Sequence, residues 1–118
     1  MNVRKIKKEE MRLEKVGVPG NWSRFTIAGR TLRLSPTRIL RLRNIVDVEM
    51  GNMEALMIGK SELVIVEAIT DRKGDVDHVS IIIYEKRFEA FVLTAAFEAS
   101  YDDFMEILNI DLRTTTTK

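Results

Sequence analysis

ELVIVEAIT-DRKGD-VD-HVSIIIY, residues 62–84, is the stretch that decides the fold. Glu62–Thr70 and His78–Tyr84 are both rich in β-branched and other apolar residues, which favour strands. Between them, Asp71–Asp75 is polar and contains a glycine, a composition typical of a tight turn. The stretch therefore predicts an antiparallel β-hairpin, and with it a fold built on a sheet.

Two shorter strands are expected upstream of this hairpin. Apolar and polar residues alternate in Trp22–Ala28 and again in Thr31–Leu34, with Gly29 between the two runs. Such alternation is typical of strands that bury one face. The pair predicts a second hairpin, or one strand kinked at Gly29.

A helix is expected to follow. Ser35-Pro36 places a hydroxyl at the N-cap and proline at the first helical position, so we predict a helix over about 36–50. The alternation in Leu40–Arg43 leaves a strand as the alternative. Residues 53–60 fit either a short helical turn or a strand.

The C-terminal part shows two apolar stripes at helical spacing. Phe88, Phe91, Val92, Ala95 and Ala99 form the first; Phe97, Tyr101, Phe104 and Leu108 form the second. They predict one long helix over about 86–108, with a kink or restart at Ser100, which resembles a capping residue. The second stripe is the predicted interface of a homodimer or larger homo-oligomer, because a contiguous apolar surface is rarely left in water.

The predicted fold class is therefore α+β: an antiparallel β-sheet packed against helices, with the long C-terminal helix used in oligomerisation. With 118 residues the chain has the length of one domain. We divide it into a basic N-terminal arm (1–15), a single α+β domain (16–110) and a disordered polar tail (111–118). It contains no long uncharged apolar run, so neither a transmembrane helix nor another membrane association is expected, and we predict a cytoplasmic protein.

The sequence contains few motifs that could support catalysis or bind a metal or phosphate. Cysteine is absent and His78 is the only histidine, which leaves little for a metal or nucleophilic site. Gly59-Lys60-Ser61 lacks the preceding glycine of a phosphate loop, since position 54 is Glu. The aspartates around residues 71–77 miss the spacing of a calcium loop. We expect no catalytic residue, no metal, no cofactor and no enzymatic activity.

Charge is strongly segregated along the chain. Residues 1–43 hold twelve basic and three acidic residues, a formal charge of +9, whereas residues 44–118 hold seven basic and fifteen acidic residues, a charge of −8. No acidic residue lies between Lys15 and Asp47. A basic half of this kind can attract phosphates. The alternative is that the two halves neutralise each other within the fold or an oligomer.

The basic half combines arginines with aromatic residues, the composition of single-strand binders, in which cations track the backbone and aromatic rings stack on bases. Core packing is the alternative role for Trp22 and Phe25. The predicted binding residues are Trp22, Arg24, Phe25, Arg30, Arg33, Arg38, Arg41 and Arg43.

The 62–84 hairpin, followed by the expected helix from Glu85-Lys86-Arg87-Phe88, resembles the hairpin-plus-helix end of PUR-alpha and Whirly-type modules. With its basic arm and its thermophile-like lack of cysteine and glutamine, the chain is similar to the archaeal ThermoDBP-related single-stranded DNA-binding proteins. That resemblance implies a dimer that binds single-stranded DNA with little sequence specificity, in a genome-maintenance role. RNA or duplex binding, and an assembly module whose basic half docks on an acidic partner, remain the alternatives.

Overall fold

A computed structural model describes residues 3–16, 22–46 and 52–109. In these ranges the elements are β1 (Arg4–Lys5), a 3₁₀ turn (Lys8–Glu10), β2 (Met11–Lys15), β3 (Ser23–Ile27), β4 (Arg30–Leu34), α1 (Pro36–Arg43), β5 (Met53–Ile58), β6 (Glu62–Thr70), β7 (Val76–Arg87), β8 (Ala90–Ser100) and α2 (Tyr101–Leu108). Strands account for most of the described residues, and both helices span only eight residues.

The strands form two sheets around one core. The larger has the order β1-β8-β7-β6-β5 and is antiparallel except for the parallel pair β1 and β8; the smaller is an antiparallel sheet of order β2-β3-β4. Phe25 of the smaller sheet and Phe104 of α2 meet in the core with ring centroids 5.9 Å apart. Both side chains are fully buried, so this contact ties α2 to the smaller sheet.

The central hairpin is confirmed. β6 and β7 pair antiparallel over Glu62–Thr70, and Val64, Val66 and Ile81 lie buried on one face. The turn is closed by the Asp71 carboxylate, whose Oδ1 accepts hydrogen bonds from the backbone N–H groups of Lys73 at 2.8 Å and Asp75 at 3.1 Å. The Asp71 carboxylate therefore shapes the turn.

The helix start at Ser35 is also confirmed. Its Oγ accepts a hydrogen bond from the backbone N–H of Arg38 at 3.2 Å, and Pro36 is the first helical residue. The helix ends at Arg43, earlier than predicted, and residues 47–50 of the predicted span lie outside the described residues. The strand alternative for Leu40–Arg43 is wrong. Residues 53–58, left open by the sequence, form β5.

The predicted long C-terminal helix over 86–108 is wrong, and with it that part of the fold class. Residues 86–87 complete β7, Phe88 and Glu89 form a two-residue turn, and Ala90–Ser100 is β8, the partner of β7. Only α2 is helical, and it starts at the predicted cap: Ser100 Oγ accepts from the Asp103 N–H at 3.1 Å. The α+β class remains only in a loose sense, since sheet dominates.

A β-bulge explains the error. The register of β7 and β8 shifts between Ile83 and Tyr84, so that Ile83 pairs with Ala95 but Tyr84 pairs with Leu93. Thr94 is the extra residue, and its hydroxyl donates to the Ile83 carbonyl oxygen at 3.1 Å. Leu93 and Ala95 consequently face opposite sides of the sheet. The bulge breaks the two-residue alternation, and the remaining apolar pattern imitates a helix.

Two further predictions change with this architecture. The predicted arm, residues 1–15, contributes β1 and β2 to the two sheets, and Ile6, Met11 and Leu13 are buried in the core. The predicted dimer stripe is not an exposed surface: Phe97, Phe104 and Leu108 are buried and Tyr101 is half-buried. The predicted tail, 111–118, lies outside the described residues.

Candidate functional site

The outer face of the smaller sheet carries its polar side chains. Along β3, Ser23, Phe25 and Ile27 point into the core, while Arg24 is exposed and Thr26 half-exposed. Along β4, Leu32 and Leu34 point inward and Arg33 outward. Phe25 is therefore a core residue, as in the core-packing alternative, and its ring is not exposed on this face.

Arg24 and Arg33 lie directly opposite each other on this outer face. Like charges facing across a pair of strands destabilise a sheet, by roughly 0.2–1 kcal/mol. Among the described residues, neither guanidinium has a carboxylate within ion-pairing distance. Glu14 is the cross-strand neighbour of Arg24, but its Oε1 lies 2.9 Å from Nε of Arg12. Both arginines are thus without an ion pair, although the Glu14 carboxylate lies next to Arg24 on the same face.

An aromatic ring adjoins this pair. The Cζ of Arg33 lies 4.2 Å from the centroid of the Trp22 ring, a cation–π contact. The backbone carbonyl of Trp22 accepts a hydrogen bond from the N–H of Val16 at 3.3 Å, which holds the start of β3 against the end of β2. Because Trp22 is only half-buried, its indole is accessible from the cleft.

A third arginine reaches the same place from α1. Nη1 of Arg38 donates to the backbone carbonyl of Met57 at 3.0 Å, which bridges the first turn of α1 to the end of β5. The turn after β5 contains Gly59 at φ 64°, a left-handed conformation that glycine adopts without strain. The fold thereby places the β5–β6 turn beside the smaller sheet.

Together these elements enclose an open cleft of about 460 Å³. We call it the arginine cleft; it is lined by Trp22, Arg24, Thr31, Arg33, Arg38, Ile58 and Gly59. Three of these residues are cationic and none is acidic. Four of the eight predicted binding residues, Trp22, Arg24, Arg33 and Arg38, are brought together here. Thr31, Ile58 and Gly59 also line the cleft but were not among the predicted residues, although the outward alternation of β4 could have indicated Thr31.

The other predicted arginines have structural contacts elsewhere. Arg30 faces the core side of its strand, and its Nη1 lies 3.9 Å from Oε1 of Glu85 on β7. Arg41 pairs with Glu54 at 3.1 Å. Nε of Arg43 donates to the Leu108 carbonyl oxygen at 2.7 Å, one of the unpaired carbonyls at the end of α2. These three side chains connect elements of the fold.

The charge segregation is thus partly neutralised within the chain. Besides the pairs of Arg30 and Arg41, Lys8 binds Glu106 at 2.6 Å, and Lys5 lies 3.9 Å from Glu98. The hydrogen bond and negative charge of Glu106 raise the pKa of Lys8 above its ordinary value. Exposed pairs of this kind each contribute little to stability. They do, however, pair four cations of the basic half with carboxylates of the acidic half, whereas the three arginines of the arginine cleft have no ion pair among the described residues.

The other polar clusters are less suited to a ligand. His78 is flanked by Asp77, with Nδ1 2.7 Å from Oδ2, and by Glu98, with Nε2 3.0 Å from Oε1. Within the described ranges no three histidine or acidic side chains converge as metal ligands would. Gly59-Lys60-Ser61 connects two strands, so it lacks the helix that a phosphate loop requires.

No helix in the described parts of the chain has the length and apolarity to cross a membrane.

Comparison of the chain with protein-family models, with curated proteins and with solved structures finds no match. The similarity to ThermoDBP-related and Whirly-type proteins therefore stays a hypothesis drawn from the sequence.

Proposed function

We propose that the arginine cleft binds single-stranded nucleic acid, primarily DNA, with little sequence preference. The observation that carries the proposal is the convergence of a half-buried indole and three guanidinium groups in a cleft with no acidic lining residue. A face-to-face arginine pair costs stability, so its presence on an outer surface favours a role in binding an anion.

The chemistry of these groups suits a polynucleotide. Guanidinium groups bind phosphate oxygens bidentately; the Arg24 side chain has no hydrogen-bond partner among the described contacts, and Arg38 is half-buried and uses only Nη1 for the Met57 carbonyl, so both retain N–H groups for phosphate. Trp22 provides a flat π surface, and Arg33 beside it can contribute to the same stack. Stacking on an aromatic side chain stabilises a bound base by roughly 1–3 kcal/mol with little dependence on its identity.

A single strand fits better than a duplex. Bases in a duplex already stack on their neighbours, so only an unpaired base can add to the Trp22 surface. Duplex binding would also profit from a long cationic track, but Arg30, Arg41 and Arg43 are engaged in contacts within the fold. The volume of about 460 Å³ corresponds to a short site, so we expect contact with one or two nucleotides per cleft.

Fluorescence anisotropy with labelled oligo-dT, oligo-rU and a duplex of equal length tests the proposal. The decisive variant is Arg24→Met/Arg33→Met, which removes two charges from the arginine cleft and keeps the apolar stems. Its matched control is Arg72→Met/Lys73→Met, which removes two charges from the exposed β6–β7 turn. That turn lies at the other end of the nine-residue strand β6 from Gly59, roughly 30 Å away.

We expect oligo-dT to bind, the cleft variant to lose most of that affinity, and the control to retain it. Failure of all three nucleic acids to bind at low salt would refute the proposal. Preference for the duplex would contradict the single-strand assignment, and stronger binding of oligo-rU would identify RNA as the ligand. Equal affinity for polyglutamate would instead support an assembly module that docks on an acidic partner.

A further inference from the structure

The larger sheet is covered on only one of its faces by the described residues. Its strands bury Leu56, Val64, Val66, Ile81 and Ile83 in the core that they share with the smaller sheet and α2. Because side chains alternate along a strand, the residues between these point to the opposite side, which we call the open face. No side chain of the open face takes part in that core.

Apolar side chains occupy the middle of the open face. Met53 and Met57 of β5 lie on it and are 54 % and 41 % exposed. The strand register places six further apolar side chains of β6, β7 and β8 beside them: Leu63, Ile65, Ile69, Ile82, Tyr84 and Leu93. A contiguous apolar surface that spans four strands commonly marks a contact with another macromolecule.

The central strands have the composition of a sheet that is covered on both faces. An antiparallel sheet with one wet face alternates apolar and polar residues, whereas strands buried on both faces have near-continuous apolar runs. Residues 63–66 of β6 and 81–84 of β7 are such runs. The longest segment outside the described residues, 110–118, holds four threonines and three charged residues, which do not suit this apolar surface. The cover is therefore expected from another molecule.

We propose that the open face packs against the open face of a second copy, so that two chains form a homodimer by sheet-on-sheet packing. Two antiparallel sheets pack in this way ~10 Å apart, with their strands about 30° from alignment. One patch then contacts itself, as a closed dimer with a two-fold axis requires.

The area of the open face matches what such a dimer needs. Four strands of six to twelve residues form it. At ~3.3 Å per residue and ~4.8 Å between strands, they cover on the order of 600 Å². Two copies thus bury on the order of 1,200 Å², which reaches the size of specific, stable interfaces.

Charge differs between the two ends of the open face. Glu67 on β6 lies at one end, and Lys86 on β7 lies ~20 Å away at the other. Both side chains are exposed, and neither has an ion pair among the described residues. Glu98, at the Glu67 end, is already paired with His78 and Lys5. One unpaired anion and one unpaired cation therefore flank the apolar middle.

These two charges select the orientation of the second copy. A two-fold axis that crosses the strands near Ile82 brings Glu67 of each copy toward the partner's Lys86. An axis parallel to the strands would instead set Glu67 beside the partner's Glu67. Complementary charge favours the first arrangement, in which the open face is complementary to itself. A nucleic acid is disfavoured, because the described part of the open face has an exposed Glu67, mostly aliphatic side chains and no arginine.

Sedimentation of the full chain from about 1 µM to about 100 µM measures the dimerisation. Ile82→Lys should abolish it, because the substitution sets two ammonium groups near the two-fold axis. Leu40→Lys is the matched control: Leu40 is 58 % exposed on α1, outside the open face, and its replacement should leave the dimer intact. A wild type that stays monomeric at every concentration, or an Ile82→Lys dimer of unchanged affinity, would overturn the proposal.

A charge reversal tests the orientation with exposed residues only, so that the fold is preserved. Glu67→Lys alone and Lys86→Glu alone should each weaken dimerisation by roughly 2- to 30-fold, because each dimer holds two copies of this exposed pair. The double variant Glu67→Lys/Lys86→Glu should recover the wild-type affinity. A double variant that dimerises no better than the single variants would contradict the proposed arrangement.

The same samples separate the dimer from other occupants of the open face. A wild type that remains monomeric but floats with phosphatidylcholine vesicles, and an Ile82→Lys variant that does not, would assign the open face to a lipid surface and refute the dimer. The cleft variant Arg24→Met/Arg33→Met should still dimerise, because its substitutions lie on the smaller sheet.

Discussion

Replacing Arg24 by methionine should weaken the binding of nucleic acid without a clear loss of fold stability. Arg24 is exposed, faces Arg33 across the smaller sheet and has no ion pair among the described contacts. Methionine retains the apolar stem, so packing on the strand is preserved. Arg24 has a like charge, Arg33, on one side and an opposite charge, Glu14, on the other, so its removal should change the free energy of unfolding by less than roughly 1 kcal/mol. Urea denaturation of the variant and the wild type measures this change.

The effect on binding follows from the charge of the arginine cleft. Three arginines line it, and each phosphate neutralised on a single strand contributes ~0.7 to the slope of log affinity against log salt concentration. The wild type should therefore show a slope of about −2.1, so that its affinity for oligo-dT falls ~18-fold between about 50 mM and about 200 mM salt. With Arg24→Met the slope should be about −1.4 and the loss ~7-fold.

Arg72→Met is the control for this experiment, because it removes the same charge from the β6–β7 turn. It should lower affinity slightly at low salt and leave the slope unchanged. An Arg24→Met slope equal to that of the wild type would show that Arg24 contacts no phosphate. A clear loss of stability in the same variant would show that its role is structural.

Three further outcomes are expected. Phe104→Ala should destabilise the fold by ~3–5 kcal/mol in urea denaturation, since the ring is fully buried against Phe25, whereas Phe88→Ala should cost nothing measurable. Ser100→Ala removes the N-cap of α2 and should cost ~1 kcal/mol by the same measurement, and a neutral result would show that the cap is not needed. Trp22→Ala should weaken oligo-dT binding by ~1–3 kcal/mol in anisotropy, and unchanged affinity would exclude base stacking at this position.

Local features that depend on a single hydrogen bond, such as helix starts, could be predicted from the sequence. Ser35 and Ser100 both cap helices through their hydroxyl groups, and both starts follow from a serine placed before a helix-compatible stretch. The β6–β7 hairpin was equally predictable, because two β-branched runs flank one polar turn. These features depend on residues that are close together in the sequence, so a sequence pattern is enough to indicate them.

The β7–β8 hairpin was not predictable in the same way. Its turn consists of Phe88 and Glu89, neither of which signals a reversal, and Phe88 adopts a positive φ that the sequence does not indicate. The bulge at Thr94 then shifts the side-chain alternation within β8. The strand is nevertheless favoured, since β8 supplies the backbone partners of β7 and buries Phe97 and Ala99 in the core.

The arginine cleft was predicted in composition but not in geometry. The sequence placed Arg24 and Arg33 on one face of the hairpin, because both alternate with buried residues. The same alternation puts Arg30 on the inward face, but the sequence could not show that Arg30 pairs with Glu85 on β7. Nor could it show that Arg38 reaches Met57, since that contact joins residues 19 positions apart. Tertiary contacts decide which arginines remain available.

The most direct test of the account is an NMR titration of the ¹⁵N-labelled chain with unlabelled oligo-dT at low salt. We predict that the largest shifts occur at the Trp22 indole N–H and at the backbone amides of Arg24, Arg33 and Gly59, while the amides of the β6–β7 turn change little. Saturable shifts confined to another surface, or no shifts at millimolar oligo-dT, would contradict the assignment of the arginine cleft as the binding site.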